Sequence, residues 1–412
     1  ARLSKFALEV AFNAKTTTWQ LSYDGRKNEP VTLPMKFPLL LAQGADGIAV
    51  GLSTKILPHN FCELIDASIK YLKGKKFEIF PDFQTGGMVD VSGYNEGKRG
   101  GKVRVRAHIE ELDKKTLVIK DVPYGVTTTQ LMESITKAND QGKIKIKKVT
   151  DVTAAAVEIH IDLAPGISPD ITIDALYAFT DCEVSISPNA CVVINHKPHF
   201  IGVQELLKDA TDNTKELLRK ELDIRLSELE DKWHYTSLEK IFFEEKIYKE
   251  LEQKHASWEN VIEAIDKAFT PFKKKLKRAI EREDILKLTE KPVRRIYRLD
   301  INELIEQIRG IEEEIKQVKF DLEHLTEYAV AYFENLLKKY GKNKERKTEI
   351  KAFDTIQVKQ VAIANTKLYI NRAEGFIGTS LKKDEHLCDC SDYDDIIAFT
   401  KGGTMKVVKV SD

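Results

Sequence analysis

The 412-residue sequence predicts an α+β protein of several domains. Three features of the chain predict it. Between residues 83 and 191 short alternating segments mix with helical ones, the pattern of one α/β domain. From residue 202 to 340 glycine almost vanishes, Glu, Lys and Leu take over, and apolar residues recur every seven positions. Beyond residue 350 the strand pattern returns. A chain of this length also exceeds what one ordinary core holds.

Residues 1–14 have helical spacing, with Leu3, Phe6, Ala7, Val10 and Ala11 on one side. Residues 21–35 read as loop. The stretch from Phe37 to Leu57 is apolar and studded with glycine. A helix follows over 60–73, with Asn60 as its N-cap, Glu63 three residues on, and Leu64, Ile65, Ile69 and Leu72 as its apolar stripe. Strands are expected where Val103, Val105 and Ala107 alternate with Lys102, Arg104 and Arg106, and again at 117–119, 143–149, 157–161 and 182–194. Helices are expected at 128–138 and 171–180.

In the glycine-poor stretch, Leu304, Ile311, Val318 and Leu325 form one series spaced by seven. Ile308, Ile315, Leu322 and Ala329 form a second, offset by four. One helix over 301–340 would be roughly 60 Å long. Leu222, Leu226, Leu229 and Trp233 mark an earlier helix that could run antiparallel to it. Pro271 and Pro292 break the segment between, about 240–300, into short helices that form a head. Residues 341–350 read as a basic linker. Strands near 367–371, 376–378, 396–400 and 405–410 suggest one small antiparallel sheet.

Composition narrows the function classes. The net charge is zero, with 65 basic and 65 acidic residues, so any nucleic-acid footprint must be local. The five cysteines form no CxxC pair and read as free thiols, and no metal site is expected. No run of eighteen apolar residues exists, so no membrane span is expected. The opening ARLSKFALEV lacks the apolar core of a signal peptide and reads as a helix entered partway, in a piece of a longer polypeptide.

The strongest local signal runs from Pro34 to Gly51 and on to Asn60. Gly44, Gly47 and Gly51 permit tight turns and close backbone approach, but no Gly-Lys-Ser/Thr or GxGxxG spacing makes it a phosphate loop. Five cations, Lys98, Arg99, Lys102, Arg104 and Arg106, fall within nine residues. On a strand Lys102, Arg104 and Arg106 share one face, either a solvated sheet face or a phosphate contact, and phosphate contact is the expectation. Lys143, Lys145 and Lys147 form a similar face. Lys36 and Lys55 flank the glycine-rich stretch as further phosphate candidates. Lys273, Lys274, Lys275, Lys277 and Arg278 read as a solvated face, and His59 as a helix-start residue.

The segment from Pro34 to Asn60 closely resembles a stretch of bacterial type IIA DNA topoisomerase A subunits, the A subunits of gyrase and topoisomerase IV. The resemblance continues in order through ARLSKFALEV, Asp82-Phe-Gln-Thr-Gly-Gly, Arg99 to Arg106, Asp121-Val-Pro-Tyr124 and Arg346-Lys-Thr-Glu349. It implies that residues 1–33 end a winged-helix DNA-gate region and that 34–201 form an α/β tower. It further implies that 202–340 form a long antiparallel coiled coil with a dimerising head, and that 341–412 hold a linker and the first blade of a β-pinwheel. It gives Ile48 the role of a wedge inserted between base pairs where the duplex bends.

The implied parent is a cytoplasmic, ATP-hydrolysing type II topoisomerase, topoisomerase IV in preference to gyrase. Its Mg²⁺ and ATP sit on a partner B subunit, and its A subunits form a homodimer through the head. Ile285, Leu286, Leu288, Ile296, Tyr297 and Leu299 are the candidates for that contact. None of the thirteen tyrosines lies in the family's Arg-Tyr-x-Glu motif. The nucleophile is therefore expected upstream of Ala1 and the chain is expected to be inactive alone. The rival class is a non-enzymatic dimeric DNA-binding scaffold.

Overall fold

A computed structural model describes residues 2–194, 196–253, 257–290, 301–354, 356, 362–381, 384–400 and 402–410. It is α+β, with one very long helix and several small sheets. The chain divides into two compact units, residues 1–37, 71–75 and 209–340, and residues 38–70, 76–208 and 341–412. The first segment of the chain thus shares a unit with the glycine-poor stretch. Among the described residues no helix is long and apolar enough to cross a membrane.

The first unit is built on the helix Val203–Glu244, 42 residues, from residue 209 onward. At 1.5 Å per residue the whole helix is about 63 Å long. Two helices return beside it, Ile301–Glu323 and Leu325–Tyr340. The contacts Lys215–Thr326, Glu230–Lys319 and Trp233–Glu312 run in opposite numerical order along the partners, so the pair is antiparallel. Leu222, Leu229 and Trp233 bury against Ile311, Ile315 and Val318, joining the two apolar series through their middle. The helix expected over 301–340 is divided at His324. The backbone ladder still passes through it, His324 N–H bonding Phe320 O and Tyr328 N–H bonding His324 O.

Beyond the seam lies a small helical cluster. Leu238, Phe242, Ile265, Phe269, Ile285, Leu288 and Leu304 form its core. Ile285 and Leu288 are therefore spent inside their own chain, which corrects their expected availability for a partner. Leu286 is half-buried against the same core. Pro271 opens a 3₁₀ turn, Thr270–Lys275, as its ring requires. Ile296, Tyr297, Leu299 and Pro292 lie outside the described residues.

Near the start of the chain, Ser4 caps helix Lys5–Ala11, its hydroxyl accepting from Ala7 N–H. Leu3 is exposed, not part of the buried stripe, while Phe6 packs edge-on to Phe37 and Tyr340. The expected loop 21–35 contains the second strand of a hairpin, Trp19–Leu21 with Asn28–Pro30.

The second unit holds the mixed region. Strands Ile109–Asp113, Thr116–Ile119, Ile159–Leu163 and Ile146–Asp151 form one antiparallel sheet in that order. Helices Thr128–Asp140 and Pro169–Phe179 cover it, and Leu117, Ile119, Leu131, Ile135, Ile159, Ile161 and Leu176 close its core. A second sheet runs Glu183–Ile186, Val103–Arg106, Met88–Asp90, Glu349–Ile350. Its last pair is parallel. Residues 341–350 are thus no loose linker. Arg346 donates to both carboxylate oxygens of Glu63 at 2.6 and 2.5 Å and to the carbonyls of Phe80 and Pro81. Buried Thr348 donates to Phe83 O, and Asp82 accepts from Lys347 and Thr348 N–H.

After residue 362 the strands form two sheets where one was expected. Phe376–Gly378, Thr366–Asn371 and Glu385–Cys390 make one, and Asp395–Phe399 with Met405–Lys409 the other.

Candidate nucleic-acid interface

The glycine-rich stretch folds into a short helix, Leu39–Gln43, and a tight hairpin, Ala45–Ala49 with Leu52–Ile56. Gly44 is the hinge between them. Its φ of 73° and ψ of 175° belong to glycine, and a Cβ there would lie 2.6 Å from Ile56 O. Val50 and Gly51 make the two-residue tip, with Gly51 at φ 76°. Gly47 has ordinary space around it, so its role is not steric.

Ile48 lies in the outgoing strand, two residues before the tip. It is registered opposite Ser53, and its side chain is 92% exposed. Val50 is fully exposed beside it. Burial normally stabilises an isoleucine by about 1.5–3 kcal/mol, so two such side chains held out on a rigid turn forgo a sizeable gain. The hairpin is braced along its second strand. Lys55 and Asn189 exchange both backbone hydrogen bonds, and the Asn189 amide donates to Ser53 O at 2.7 Å.

Sequence reasoning missed Val50, Asp46 and Asn189. In a two-residue hairpin, positions equally distant from the turn face each other. Asp46 and Lys55 are such a pair, and their 3.2 Å contact was legible once the turn was placed. Nothing local in the sequence pointed to Asn189.

Behind the hairpin, His59 is buried. Its Nδ1–H donates to Leu41 O at 3.2 Å, and its Nε2 accepts from the Tyr94 hydroxyl at 3.0 Å. Burial disfavours the imidazolium and lowers the pKa from 6.5 to about 4, so the ring is neutral and structural. The unfolded chain binds the proton more readily than the folded one. Stability contributed by His59 is therefore complete above pH 6.5 and is lost as the pH falls toward 4. In an NMR titration of ring-labelled histidine, the His59 resonance is expected to hold its neutral shift down to about pH 5. A midpoint near 6.5 would contradict this environment. Asn60 caps helix Phe61–Leu72 as expected, accepting from Cys62 and Glu63 N–H. Glu63 turns to Arg346 instead of closing a capping box.

The basic cluster divides. Lys98, Arg99 and Lys102 are exposed; Lys98 pairs with Glu96, and Arg99 and Lys102 make no ion pair among the described residues. Arg104, half-buried, and Arg106, buried, are held by partners within the chain. Arg106 bonds Glu183 at 2.5 Å and lies over the rings of Phe353 and Tyr177. Arg104 donates to Asp90 and to Phe353 O, both at 2.8 Å. Burial opposes ionisation of Asp90, but hydrogen bonds from Ser92, Arg104 and Phe353 outweigh it and hold the carboxyl well below the usual carboxylate range.

Lys36 is likewise committed: its buried ammonium sits 2.7 Å from Glu221. Lys145 and Lys147 are exposed and Lys143 half-buried; only Lys147 lies within the strand, which begins at Ile146. In the helical cluster, Lys273 pairs with Asp266, Arg278 with Asp284, and Lys277 lies over Trp233.

The family model for the A subunit of DNA gyrase/topoisomerase IV matches residues 1–336. The DNA topoisomerase 4 A subunit of Borreliella burgdorferi is 39% identical over 398 residues, 97% of this chain and 63% of that protein. The DNA gyrase A subunit of Brachyspira hyodysenteriae is 27% identical over 453 residues, all of this chain and 54% of that protein. The DNA gyrase A subunit of Lawsonia intracellularis is 32% identical over 57% of this chain and 31% of that protein. The chain spans less than two thirds of the length of each.

Proposed function

The chain belongs to the A-subunit family of DNA gyrase and topoisomerase IV, and we propose that it serves as the portion of a type II topoisomerase that grips and bends duplex DNA for ATP-dependent strand passage. Topoisomerase IV is favoured over gyrase, because identity to the topoisomerase 4 protein is 39% along nearly the whole chain, against 27% for the gyrase protein matched over all of it. The working partners are duplex DNA, a second copy of this chain's parent, and a B subunit that carries ATP and Mg²⁺. We assign no ligand for either to this chain, and no tyrosine of this chain to the nucleophile's role.

The observation that carries the proposal is Ile48, almost wholly exposed on a hairpin pinned at its base by Gly44 and along its side by Asn189. An apolar side chain on a stiff support can enter a base step, unstack it and kink the duplex, with the deformation offset by contacts the bent DNA then makes. Lys55, Lys98, Arg99 and Lys102 supply the phosphate contacts. Lys55 and Lys98 hold only surface ion pairs, to Asp46 and Glu96, whereas Lys36, Arg104 and Arg106 are buried or half-buried in theirs and support the frame instead. In this assignment the mixed region to residue 201 is the tower and the antiparallel helices are the coiled coil. The helical cluster carries the dimer contact on residues other than Ile285 and Leu288, and the last sheets open the C-terminal β domain.

Ile48→Ala in the full-length protein is expected to reduce the bend far more than affinity, which should fall by no more than about threefold because phosphate contacts dominate binding. Energy transfer between the ends of a short labelled duplex reads the bend at saturating protein. An unchanged bend refutes the wedge. Decatenation with the B subunit, ATP and Mg²⁺ distinguishes the enzyme from a DNA scaffold without chemistry: no decatenation by the parent protein favours the scaffold.

A further inference from the structure

A two-stranded hairpin is marginal by itself, and a wedge on a soft support would fold back and leave the DNA straight. We propose that Asn189 is a positioning residue for Ile48, holding the hairpin from the strand opposite it; this rests on the assignment of Ile48 as the wedge.

The contacts are continuous and local. Ser53 is the register partner of Ile48, and Asn189 Nδ2–H donates to Ser53 O at 2.7 Å. Lys55 N–H donates to Asn189 O at 2.8 Å, and Asn189 N–H to Lys55 O at 3.0 Å. Between them, the Thr54 hydroxyl donates to Asn189 O at 3.4 Å and accepts from Cys191 N–H at 3.3 Å. Residues 53, 54 and 55 are therefore all held from the segment 189–191. That segment is anchored in turn: Ala190 is buried and its N–H donates to Gly97 O at 3.0 Å, and the chain just before it is the strand Glu183–Ile186, paired with Val103–Arg106. A load on Ile48 passes through Ser53 and Asn189 into that sheet.

The side chain suits this task. An uncharged carboxamide on one methylene brings its NH₂ to the Ser53 carbonyl while the backbone of the same residue stays in register with Lys55. Asn189 Oδ1 is buried without a partner among the described residues, and the amide is held through its nitrogen. Alanine would keep both backbone bonds and lose only the tie to Ser53, softening the support beneath Ile48.

The test is a double-mutant cycle in the full-length protein, reading bend by end-to-end energy transfer and affinity by titration of the same duplex. Asn189→Ala is expected to remove at least about half of the Ile48-dependent bend, with affinity changed less than about threefold. In an Ile48→Ala background the same substitution is expected to remove nothing further, since its effect passes through Ile48. A melt precedes each measurement. If Asn189→Ala does not fold, Asn189→Gln, which keeps the donor but misplaces it, takes its place with the same expected order. A normal bend in the Asn189 variant beside a reduced one in Ile48→Ala overturns the positioning role and leaves the wedge intact. A further loss of bend in the double variant also overturns it, as general damage. An unchanged bend in Ile48→Ala overturns the wedge itself, and the positioning role with it.

Discussion

Alanine at Gly44 is expected to cost about 3 kcal/mol or more, from backbone strain and steric conflict together. The φ, ψ pair of 73° and 175° is open to glycine and strained for any side chain. The added Cβ would meet Ile56 O at 2.6 Å, Pro58 N at 3.0 Å and Leu57 C at 3.2 Å, all backbone atoms at the end of the second strand and just past it. No rotamer change relieves that. The base of the hairpin must open, Ile48 moves with it, and DNA bending falls together with stability. Denaturant unfolding and proteolytic sensitivity near residues 44–58 check the first effect, and end-to-end energy transfer the second. A variant that matches the parent in midpoint and bend would show that the close approach is not needed.

Arg346→Ala is expected to cost about 3 kcal/mol, discounted from the range for buried pairs because the Arg346 and Glu63 side chains keep 20% and 40% of their exposure. One guanidinium makes four hydrogen bonds, two to Glu63 and one each to Phe80 O and Pro81 O. Removing it leaves a carboxylate and two carbonyls short of partners and loosens the segment that Asp82 and Thr348 hold further along. Lysine should recover less than about half of the loss, because a point charge cannot reproduce the planar fork. The measurements are the unfolding midpoint and hydrogen exchange at Glu349 and Lys351, whose N–H groups bond Gly87 O and Val89 O. Unchanged protection at both sites would show that the strand is held without Arg346.

The seam between the long helices could be read from residue spacing because each helix carries its own apolar stripe. The seven-residue series at 304–325 and the row Leu222, Leu226, Leu229 and Trp233 need no knowledge of anything else. Ile48 was singled out by family resemblance alone, and its exposure follows from the hairpin that Val50 and Gly51 turn. The residues whose partners the pattern did not reveal share one cause. Alternation at Lys102, Arg104 and Arg106 tells which side chains share a face, but not what lies on that face. Phe353 covers it, some 250 residues later in the chain. Lys36 meets Glu221, 185 positions away. The basic run after residue 341 looks like a tether because its lysines and arginine are polar, yet Arg346 finds Glu63 at a separation of 283. Local pattern reports propensity and periodicity; partners that arrive from far along the chain decide whether a charge is offered or consumed.

The parallel pairing of Glu349–Ile350 with Met88–Val89 bears on how the chain is made. Strand Met88–Asp90 emerges from the ribosome some 260 residues before the strand that completes its outer edge. At ordinary elongation rates of 5–20 residues per second that gap is about 13–50 s. Through it, the row of N–H and C=O groups along Met88–Asp90 stands open, and the face of Arg104 and Arg106 waits uncovered for Phe353. Such an edge invites pairing with another nascent chain. Its brevity, three residues with the acidic Asp90 at one end, limits what a wrong partner could gain there. Completion of this sheet is thus timed by synthesis, and nascent chains released short of residue 350 should be the species that associate.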